Sequence, residues 1–585
     1  MDEQRAPRRV VFRVLMWCLA LLVVAVVALG VSLAWDGARL LGAKRDLTTH
    51  AVAAQDALAA RDAQALAREA SALEEAAAEF ASATDGPQWW VAQRLPWVAS
   101  QAVPVVAVGD AIRLVANEAL SPLAAMGDLS VLEAPPIEDG RIDPYVLEEY
   151  RPVLAQASAA LVEATDQLAS ISLDGAVDQV RGAYDDLEVR LAEVRDLVGD
   201  AHATAELLPT MLGGDGARTY LVMVQNNAEP RATGGLPGAI LELAVDDGEI
   251  DIVRAVATRD LYVPEGLGDV LTDDEVAAFS DLMASFPQDV NFTPEFPRAA
   301  ELLGEYWQHW YGDRPDGVAA LDPVALGWML RGAEPVTVQG IRITADNVAS
   351  LMLHDVYAQI DGDVEQDLFF AEAAGALAPA LLEGGTSLLD GLERAIDKGR
   401  FLLWSADDGE QALLEDLPIS GAFLEHDDAL GVFVNDASGS KIGYLVDVQT
   451  TITDHLCTDG TIAGETVQVE VSHTYTGDVG DLARAVGIGG GYVPAGEFHA
   501  NVLFYPAAGT SIVGYARDGV DDAWELWPHD AREMSAIRVE LAPGESTVLT
   551  FEVEAAEGTA PPDAVQTPGP AEVQIARTTD AAADC

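Results

Sequence analysis

The sequence predicts an α+β multidomain protein with an N-terminal transmembrane helix, a helical bundle or stalk, a central α/β domain and a C-terminal β-sandwich-like domain. An uncharged apolar run near the start predicts the membrane helix, and Ala- and Leu-rich stretches with helical periodicity predict the bundle. After residue 212, short β-type runs first alternate with helices and then follow one another without helices. The predicted boundaries are 1–13, 14–35, 36–212, 213–425 and 426–585.

The composition is that of a folded, strongly acidic protein. The chain has 585 residues, of which 50% are hydrophobic, so it is long enough to bury several cores. Its 96 acidic and 33 basic residues give a formal net charge of -63. A field of that sign repels polyanions, which argues against nucleic acid as a partner.

The first element is an apolar run from Val14 to Trp35 that contains no charged residue. As a helix it is roughly 33 Å long, enough for a hydrocarbon core of about 30 Å. Four arginines precede it, Arg5, Arg8, Arg9 and Arg13. The positive-inside rule therefore predicts a single-pass protein of the cell membrane, with residues 1–13 in the cytoplasm and the rest extracellular. The alternative is a cleaved signal peptide, although the run is longer than a usual signal-peptide core.

The segment 36–212 carries helical patterns. Leu66, Leu73 and Phe80 recur at heptad spacing in a stretch without Gly or Pro, which predicts a long helix with a narrow apolar seam. Similar patterns follow at 103–126, 146–168 and 177–208. Each seam needs a helical partner, so these segments predict a bundle or stalk.

Alternation of strands and helices begins after the glycine-rich turn at 213–216. Three runs predict strands, Thr219 to Gln225, Ala239 to Val245 and Glu249 to Val256. Helices are predicted to start near Thr293, Asp322, Thr344 and Ser405, with a strand from Arg400 to Trp404. This pattern predicts one α/β domain over 213–425.

Short β-branched runs separated by Gly, Pro and Asp turns follow beyond His426, which is typical of a β-sandwich. A last strand is predicted from Ala571 to Arg577. The two cysteines of this region, Cys457 and Cys585, are predicted to form a disulfide that fastens the C-terminus, since an extracellular location permits one. The alternative is two free thiols, because spacing does not show that they approach each other.

Common catalytic signatures are absent from the sequence, and the histidines lack metal-ligand spacing, so no resident cofactor is predicted. The stretch Gln225 to Gly238 is the first candidate site. Its amides, hydroxyl, guanidinium and flexible glycines suit an anionic headgroup. The candidate ligand-binding residues are Asn226, Asn227, Glu229, Arg231, Thr233, Gly234 and Gly235. The alternative is a structural turn in which Arg231 pairs with Glu229 or a helix end.

The second candidate site is the pair Arg259 and Asp260, which follows the predicted strand that ends at Val256. An arginine binds phosphate through two hydrogen bonds, and an aspartate holds a divalent metal or orients the arginine. The two residues are therefore candidate catalytic residues. The alternative is an ordinary surface ion pair.

Several motifs resemble the actinobacterial domain of unknown function 4012. They are YLVMVQNNAEPRATGGLPGAI from Tyr220, DGVAALDPVALGWML from Asp316, ITADNV from Ile343, LLWSAD from Leu402 and VNDASGSKIGYL from Val434. The resemblance runs in order over about 205–585. It implies a membrane-anchored protein of the cell envelope, in agreement with the predicted topology.

A more distant resemblance is to the LytR-CpsA-Psr ligases, carried by Arg259 to Val263 and by Gly317 to Val338. It implies transfer of a glycopolymer from a polyprenyl pyrophosphate carrier to the cell wall with Mg²⁺, with Arg259 and Asp260 at the pyrophosphate and Arg231 assisting. Those ligases carry further arginines where Asp361 to Asp367 is acidic here. The sequence thus predicts a protein that binds or positions an envelope glycan, a lipid-linked precursor or an envelope protein; the alternative is such a transferase.

Overall fold

The computed structural model describes residues 45–580 except 59, 61, 85, 128–136, 139–140, 383–385, 416, 427, 459 and 557. The predicted cytoplasmic segment 1–13, the predicted membrane helix 14–35 and Cys585 therefore lie outside the described residues. The described chain divides into two compact units. One contains 45–127 and 145–208, and the other contains 137–144 and 209–580.

The first unit is helical. Its helices are α1 (45–58), α2 (Ala63–Thr84), α3 (Pro87–Ala92), α4 (Pro96–Val115), α5 (Ser121–Ala125), α6 (Arg151–Ala169) and most of α7 (Asp178–Met211). The seam residues Leu66, Leu73 and Phe80 of α2 are all buried in one core. Gly109 of α4 faces the Phe80 ring so closely that a Cβ would lie 2.7 Å from it. A small residue is therefore required where these two helices cross.

One helical segment among the described residues, Val98–Ala125, is long and apolar enough to cross a membrane. It runs through α4, a π-helical turn at Ala116–Leu120 and α5. Its residues Ile112, Val115 and Leu123 are buried in the core of the helical unit. The finding is weak evidence for a membrane span, because a core helix of a bundle has the same length and composition.

The second unit is mixed. Its first sheet has the strand order β1-β2-β5-β4-β3-β6-β9. The strands are β1 (Ile137–Glu138), β2 (Arg141–Ile142), β3 (Arg218–Arg231), β4 (Gly234–Asp246), β5 (Glu249–Ala257), β6 (Gly317–Leu321) and β9 (Phe401–Ser405). Sequence reasoning assigned 137–142 to the helical segment 36–212, and this assignment is wrong. Strands of two residues are too short to show a periodicity.

The hairpin of β3 and β4 also corrects the sequence prediction. A loop was predicted between strands ending at Gln225 and beginning at Ala239, but the strands continue to Arg231 and from Gly234. The register shifts twice, next to Gln225 and between Asn226 and Pro230. These irregularities accommodate the Asn, Pro and Gly residues, which are typical of loops and led to the loop prediction.

Helices pack around this sheet, and a small hairpin of β7 (Val336–Val338) and β8 (Ile341–Ile343) lies outside it. The helices are α8 (Asp273–Phe279), α9 (Phe296–Tyr311), α10 (Pro323–Met329), α11 (Val348–Ser350), α12 (Val356–Gln359), α13 (Asp363–Leu382), α14 (Thr386–Asp397) and α15 (Asp408–Glu415). Helix α9 buries Leu302, Leu303, Tyr306 and Trp307 in a core shared with β3, β4, β6 and β9. Trp310, one turn beyond Tyr306 and Trp307, remains 49% exposed.

Two further sheets share a second core. One has the order β16-β17-β13-β10-β19 and the other β15-β14-β18-β12-β11-β20. The strands are β10 (Ala429–Asp436), β11 (Val446–Leu456), β12 (Ile462–His473), β13 (Phe498–Tyr505), β14 (Thr510–Arg517), β15 (Val520–Asp521), β16 (Leu526–His529), β17 (Arg532–Leu541), β18 (Ser546–Ala555), β19 (Asp563–Gln566) and β20 (Gln574–Thr579), with the short helix α16 (Arg484–Gly487) before β13. Phe504 and Phe551, one from each sheet, stack at 4.4 Å. The apolar faces of both sheets are thus buried against each other.

Candidate functional site

The predicted ligand segment lies at the end of β3 and the start of β4. Its polar residues Asn227, Glu229, Arg231 and Thr233 are each less than a tenth exposed. Arg231 contacts Asp436 of β10, and Asn227 contacts Pro568 in the chain that follows β19. The segment therefore joins the first sheet to the sheet that contains β10.

Arg231 is held between two carboxylates. Its guanidinium lies 3.5 Å from Asp289 Oδ1 and 3.9 Å from Asp436 Oδ2, and it donates hydrogen bonds to the carbonyls of Pro230 and Asp436. The Phe292 ring centroid is 4.7 Å from Cζ. Burial raises the pKa of Asp289 and raises that of Asp436 to about 6, while Arg231 opposes both shifts. Arg231 thus has a structural ion-pair role, with partners other than the predicted Glu229 or helix end.

Glu229 instead pairs with Lys441, whose Nζ lies 2.6 Å from Glu229 Oε2 and 4.8 Å from the Tyr357 ring centroid. Burial disfavours both charges, but the attraction outweighs it, so the pKa of Lys441 is raised and that of Glu229 is lowered. Lys441 therefore stays protonated at neutral pH and cannot act as a general base. Sequence reasoning missed Lys441 because nothing local relates it to a residue 212 positions earlier.

Asn227 belongs to a third buried cluster. Its Nδ2 donates to Asp322 Oδ2 and to the carbonyl of Pro568, each at 3.0 Å. Asp322 also pairs with Arg400 at 2.5 Å, and Arg400 donates to the carbonyls of Gly569 and Ala571. Asp322 caps α10 through Ala325 N as well. The cluster binds the segment after β19 to the end of the first sheet.

The glycines of the candidate segment are explained by packing. Gly234 has a φ of +133°, which a residue with a side chain rarely adopts. A Cβ on Gly235 would lie 2.4 Å from the backbone carbon of Asn226. The Asn226 side chain accepts a hydrogen bond from Ala228 N within the same strand. Close approach of the chain to itself therefore accounts for these residues without a ligand.

Four buried polar atoms of the region keep unused hydrogen-bonding capacity. They are Asn227 Oδ1, Arg231 Nε, Thr233 Oγ1 and Asn291 Oδ1, none of which has a hydrogen-bond partner within the described protein. An unsatisfied buried polar atom costs about 1–3 kcal/mol. Such atoms are ordinarily satisfied by buried water.

Arg259 and Asp260 lie in a different environment from Arg231. They occupy a 3-10 turn, Thr258–Leu261, directly after β5, and both are exposed. Thr258 and Leu261 are buried, and Trp310 Nε1 donates to the carbonyl of Leu261 at 2.9 Å. The turn is thus anchored by its ends and presents the two charged residues to solvent, whereas Arg231 is enclosed.

Magnesium in proteins is often held by one or two carboxylates together with substrate phosphates, and Asp260 is the carboxylate of this turn. Mg²⁺ needs several oxygen ligands in octahedral geometry. Within the described parts of the chain there is no cluster of three or more Asp, Glu, His or Cys residues that could hold a metal ion. Asp260 by itself supplies one carboxylate.

A groove that sequence reasoning missed lies beside α8. It has a volume of about 390 Å³, and its prominent side chains are Trp524, Trp527, Glu525 and Asn501. Ala277 and Ala278 of α8 form one wall. The sequence shows two tryptophans close together, but only the fold brings them next to α8 and β13.

Residues 215–357 match the model of a family described as protein of unknown function (DUF4012). The matched segment begins just before β3 and ends in α12. It includes Glu229, Arg231 and Asp322 but not their respective partners Lys441, Asp436 and Arg400. It is shorter than the 205–585 over which the motifs resemble the family. The chain matches no curated protein and no solved structure. The match supports the resemblance to that family over this segment.

Proposed function

We propose that this chain is a single-pass membrane-anchored protein of the cell envelope whose extracellular part binds or positions a ligand without catalysing a reaction. The observation that carries the absence of catalysis is the position of Arg231. A transferase site needs cationic side chains free to meet a pyrophosphate. Arg231 is enclosed, with Asp289 and Asp436 beside it.

Several features support the anchored, extracellular location. The run Val14 to Trp35 is uncharged and follows four arginines. Cys457 is disulfide-bonded, and structural disulfides are typical of oxidising compartments. The ligand classes proposed for the extracellular part are an envelope glycan, a lipid-linked precursor or an envelope protein, with no nucleic acid, because a net charge of -63 repels polyanions.

Topology is tested by protease treatment of intact cells that produce the chain with one epitope tag before residue 1 and another after residue 585. The proposal expects loss of the second tag and protection of the first, with the protein in the membrane fraction. Recovery of the protein in the medium, shortened near residue 35, would mean a cleaved signal peptide instead.

A second function, glycopolymer transfer from a polyprenyl pyrophosphate, is favoured by one observation. Arg259 and Asp260 stand together on an exposed turn where a phosphate has access. The two functions are separated by native mass spectrometry of the full chain extracted from its own membranes, with Arg259→Ala and, as a control, the exposed Arg331→Ala. A polyprenyl-phosphate species lost only in Arg259→Ala shows that the chain binds a lipid-linked precursor, and transfer of its glycopolymer in an assay with Mg²⁺ then favours the transferase. A protein without such a species favours the binding function.

A further inference from the structure

The groove beside α8 has an aromatic wall. Trp524 lies in the connection between β15 and β16, and Trp527 lies on β16. Both indoles are partly buried: Trp524 packs against the core between the two sheets and Trp527 against the core beneath α9. Each ring is thus held in place while part of it remains accessible in the groove.

The opposite wall and the floor of the groove are formed largely by small side chains. Ala277 and Ala278 come from α8 and Ala536 from β17, and Ile537 beside Ala536 is the one larger aliphatic side chain of the lining. The volume, about 390 Å³, lies at the lower end of the range for small-ligand sites, about 300–1,000 Å³. The space suits a flat ring that lies against an indole.

Two exposed polar side chains complete the groove. Asn501 on β13 supplies an amide, which both donates and accepts hydrogen bonds, and Glu525 supplies a carboxylate, which accepts them. A sugar ring has an apolar face of C–H groups and an edge of hydroxyls that donate and accept. Its face would lie against an indole, as apolar groups do on aromatic rings, while its hydroxyls reach Asn501 and Glu525.

The charge around the groove favours neutral sugars over acidic ones. None of the lining residues, all of which are described, is Lys, Arg or His. Acidic residues lie near it in sequence, Asp521 and Asp522 before Trp524, and Asp273 and Asp274 in the first turn of α8, while Arg538, the cross-strand neighbour of Asn501, pairs with Glu540. A carboxylate- or phosphate-bearing sugar would be repelled, whereas hydroxyl donors complement Glu525.

We propose that this groove binds a short stretch of an oligosaccharide without acidic groups, stacked on Trp524 and Trp527 and oriented by Asn501 and Glu525. The inference rests on the proposed binding function and names its ligand class. A proline-rich peptide also packs on tryptophans, and its binding is the outcome that the test sets against the sugar.

The test uses the full chain in detergent micelles, titrated with cellohexaose, maltohexaose and the hexamer of N-acetylglucosamine, and with hexagalacturonic acid as the acidic counterpart. Binding is followed by tryptophan fluorescence and calorimetry. At least one neutral hexamer is expected to bind, and the acidic hexamer is expected to bind at least tenfold more weakly, about 1.4 kcal/mol. Trp527→Ala and Asn501→Ala are expected to weaken binding by about tenfold and several-fold respectively.

Trp90→Ala is the matched control, because Trp90 is 60% exposed and belongs to the helical unit. It is expected to leave binding unchanged. Asn501→Ala alters an exposed side chain and tests the groove even if Trp527→Ala fails to fold, which thermal melting would reveal. The inference is overturned if no neutral hexamer binds, if hexagalacturonic acid binds as well as they do, or if a proline-rich peptide binds the groove in their place.

These measurements are independent of topology. If the oligosaccharide binds and the groove variants lose it, the inference stands even when the protease experiment shows a secreted protein. If the protein is anchored and extracellular but binds no neutral hexamer, only the groove inference fails.

Discussion

Arg400 and Asp322 form an ion pair at 2.5 Å in which the two side chains are 1% and 0% exposed. Arg400 also donates to the carbonyls of Gly569 and Ala571, at 2.7 Å each, and its guanidinium lies 5.6 Å from the Trp328 ring centroid. One guanidinium thus connects the strand pair β6 and β9 to the segment after β19. The attraction between charges this deep offsets their desolvation only when the geometry is good and further hydrogen bonds satisfy the pair.

Arg400→Met is therefore expected to destabilise the protein by about 3–5 kcal/mol, because it leaves the Asp322 carboxylate buried without its cation. Urea unfolding measures the change. Asp322→Leu combined with Arg400→Met should recover part of the loss, and the exposed Arg331→Met should be neutral. An Arg400→Met variant as stable as the wild type would show that the pair does not hold the unit together.

Glu295 makes stability depend on pH. Burial raises its pKa from 4.5 to about 8, although Leu424 N donates to its carboxylate at 2.6 Å. Between pH 4.5 and 8 the folded state keeps a proton on Glu295 that the unfolded state releases. The contribution of Glu295 to stability is therefore fully present below about pH 4.5 and is lost as the pH rises to about 8. One such group contributes a slope of up to about 1.4 kcal/mol per pH unit.

Glu295→Gln should therefore flatten the fall in stability between pH 5 and 8 and raise the melting temperature most at the alkaline end, since an amide cannot ionise. Thermal melts across this range measure the effect. The exposed Glu334→Gln is the control and should leave the slope unchanged. An identical slope in Glu295→Gln would mean that Glu295 is ionised in the folded protein.

Gly391 of α14 touches α10 directly, and a Cβ there would lie 2.5 Å from Met329 Cα and N. Backbone cannot yield to such a contact, so Gly391→Ala should separate the helices and cost about 1–3 kcal/mol. Gly375 of α13 has nothing within 4 Å of the same added atom. Gly375→Ala should stabilise the helix by up to about 1 kcal/mol, and chemical denaturation compares the two. Equal effects would contradict the packing argument.

Cys457 is disulfide-bonded, and its partner lies outside the described residues. Strand β20 runs parallel to β11, and Asp580 N donates to Asp454 O at 2.9 Å, so Asp580 lies three residues along β11 from Cys457. We expect a non-reduced digest to contain a peptide that links Cys457 to Cys585. Removal of a bridge across a loop of roughly 130 residues by Cys585→Ser should cost about 5 kcal/mol. A bridge to Cys18 would contradict the prediction, and Cys18→Ser is the control.

Local sequence patterns were sufficient to predict the helices and strands whose apolar residues recur with a clear period. The run Glu249 to Val256 was predicted as a strand, and β5 covers Glu249–Ala257. The heptad seam of α2 is buried, and the alternating runs after His426 form strands. In each case the pattern of apolar side chains follows from the face that the element buries. The end of β3 was missed because Pro and Gly residues usually interrupt strands, and two register shifts accommodate them here.

The sequence by itself determined the acidic character of the surface, the mixture of helices and strands, and an apolar run from Val14 to Trp35 that predicts a membrane span. Only the tertiary structure decided that Arg231 pairs with Asp289 and Asp436, and that Trp524 lies beside α8. The physical reason is the distance along the chain between the residues that interact. Hydrophobic periodicity depends on neighbouring residues, whereas an ion pair or a groove depends on which distant segments pack together, and no local pattern specifies that.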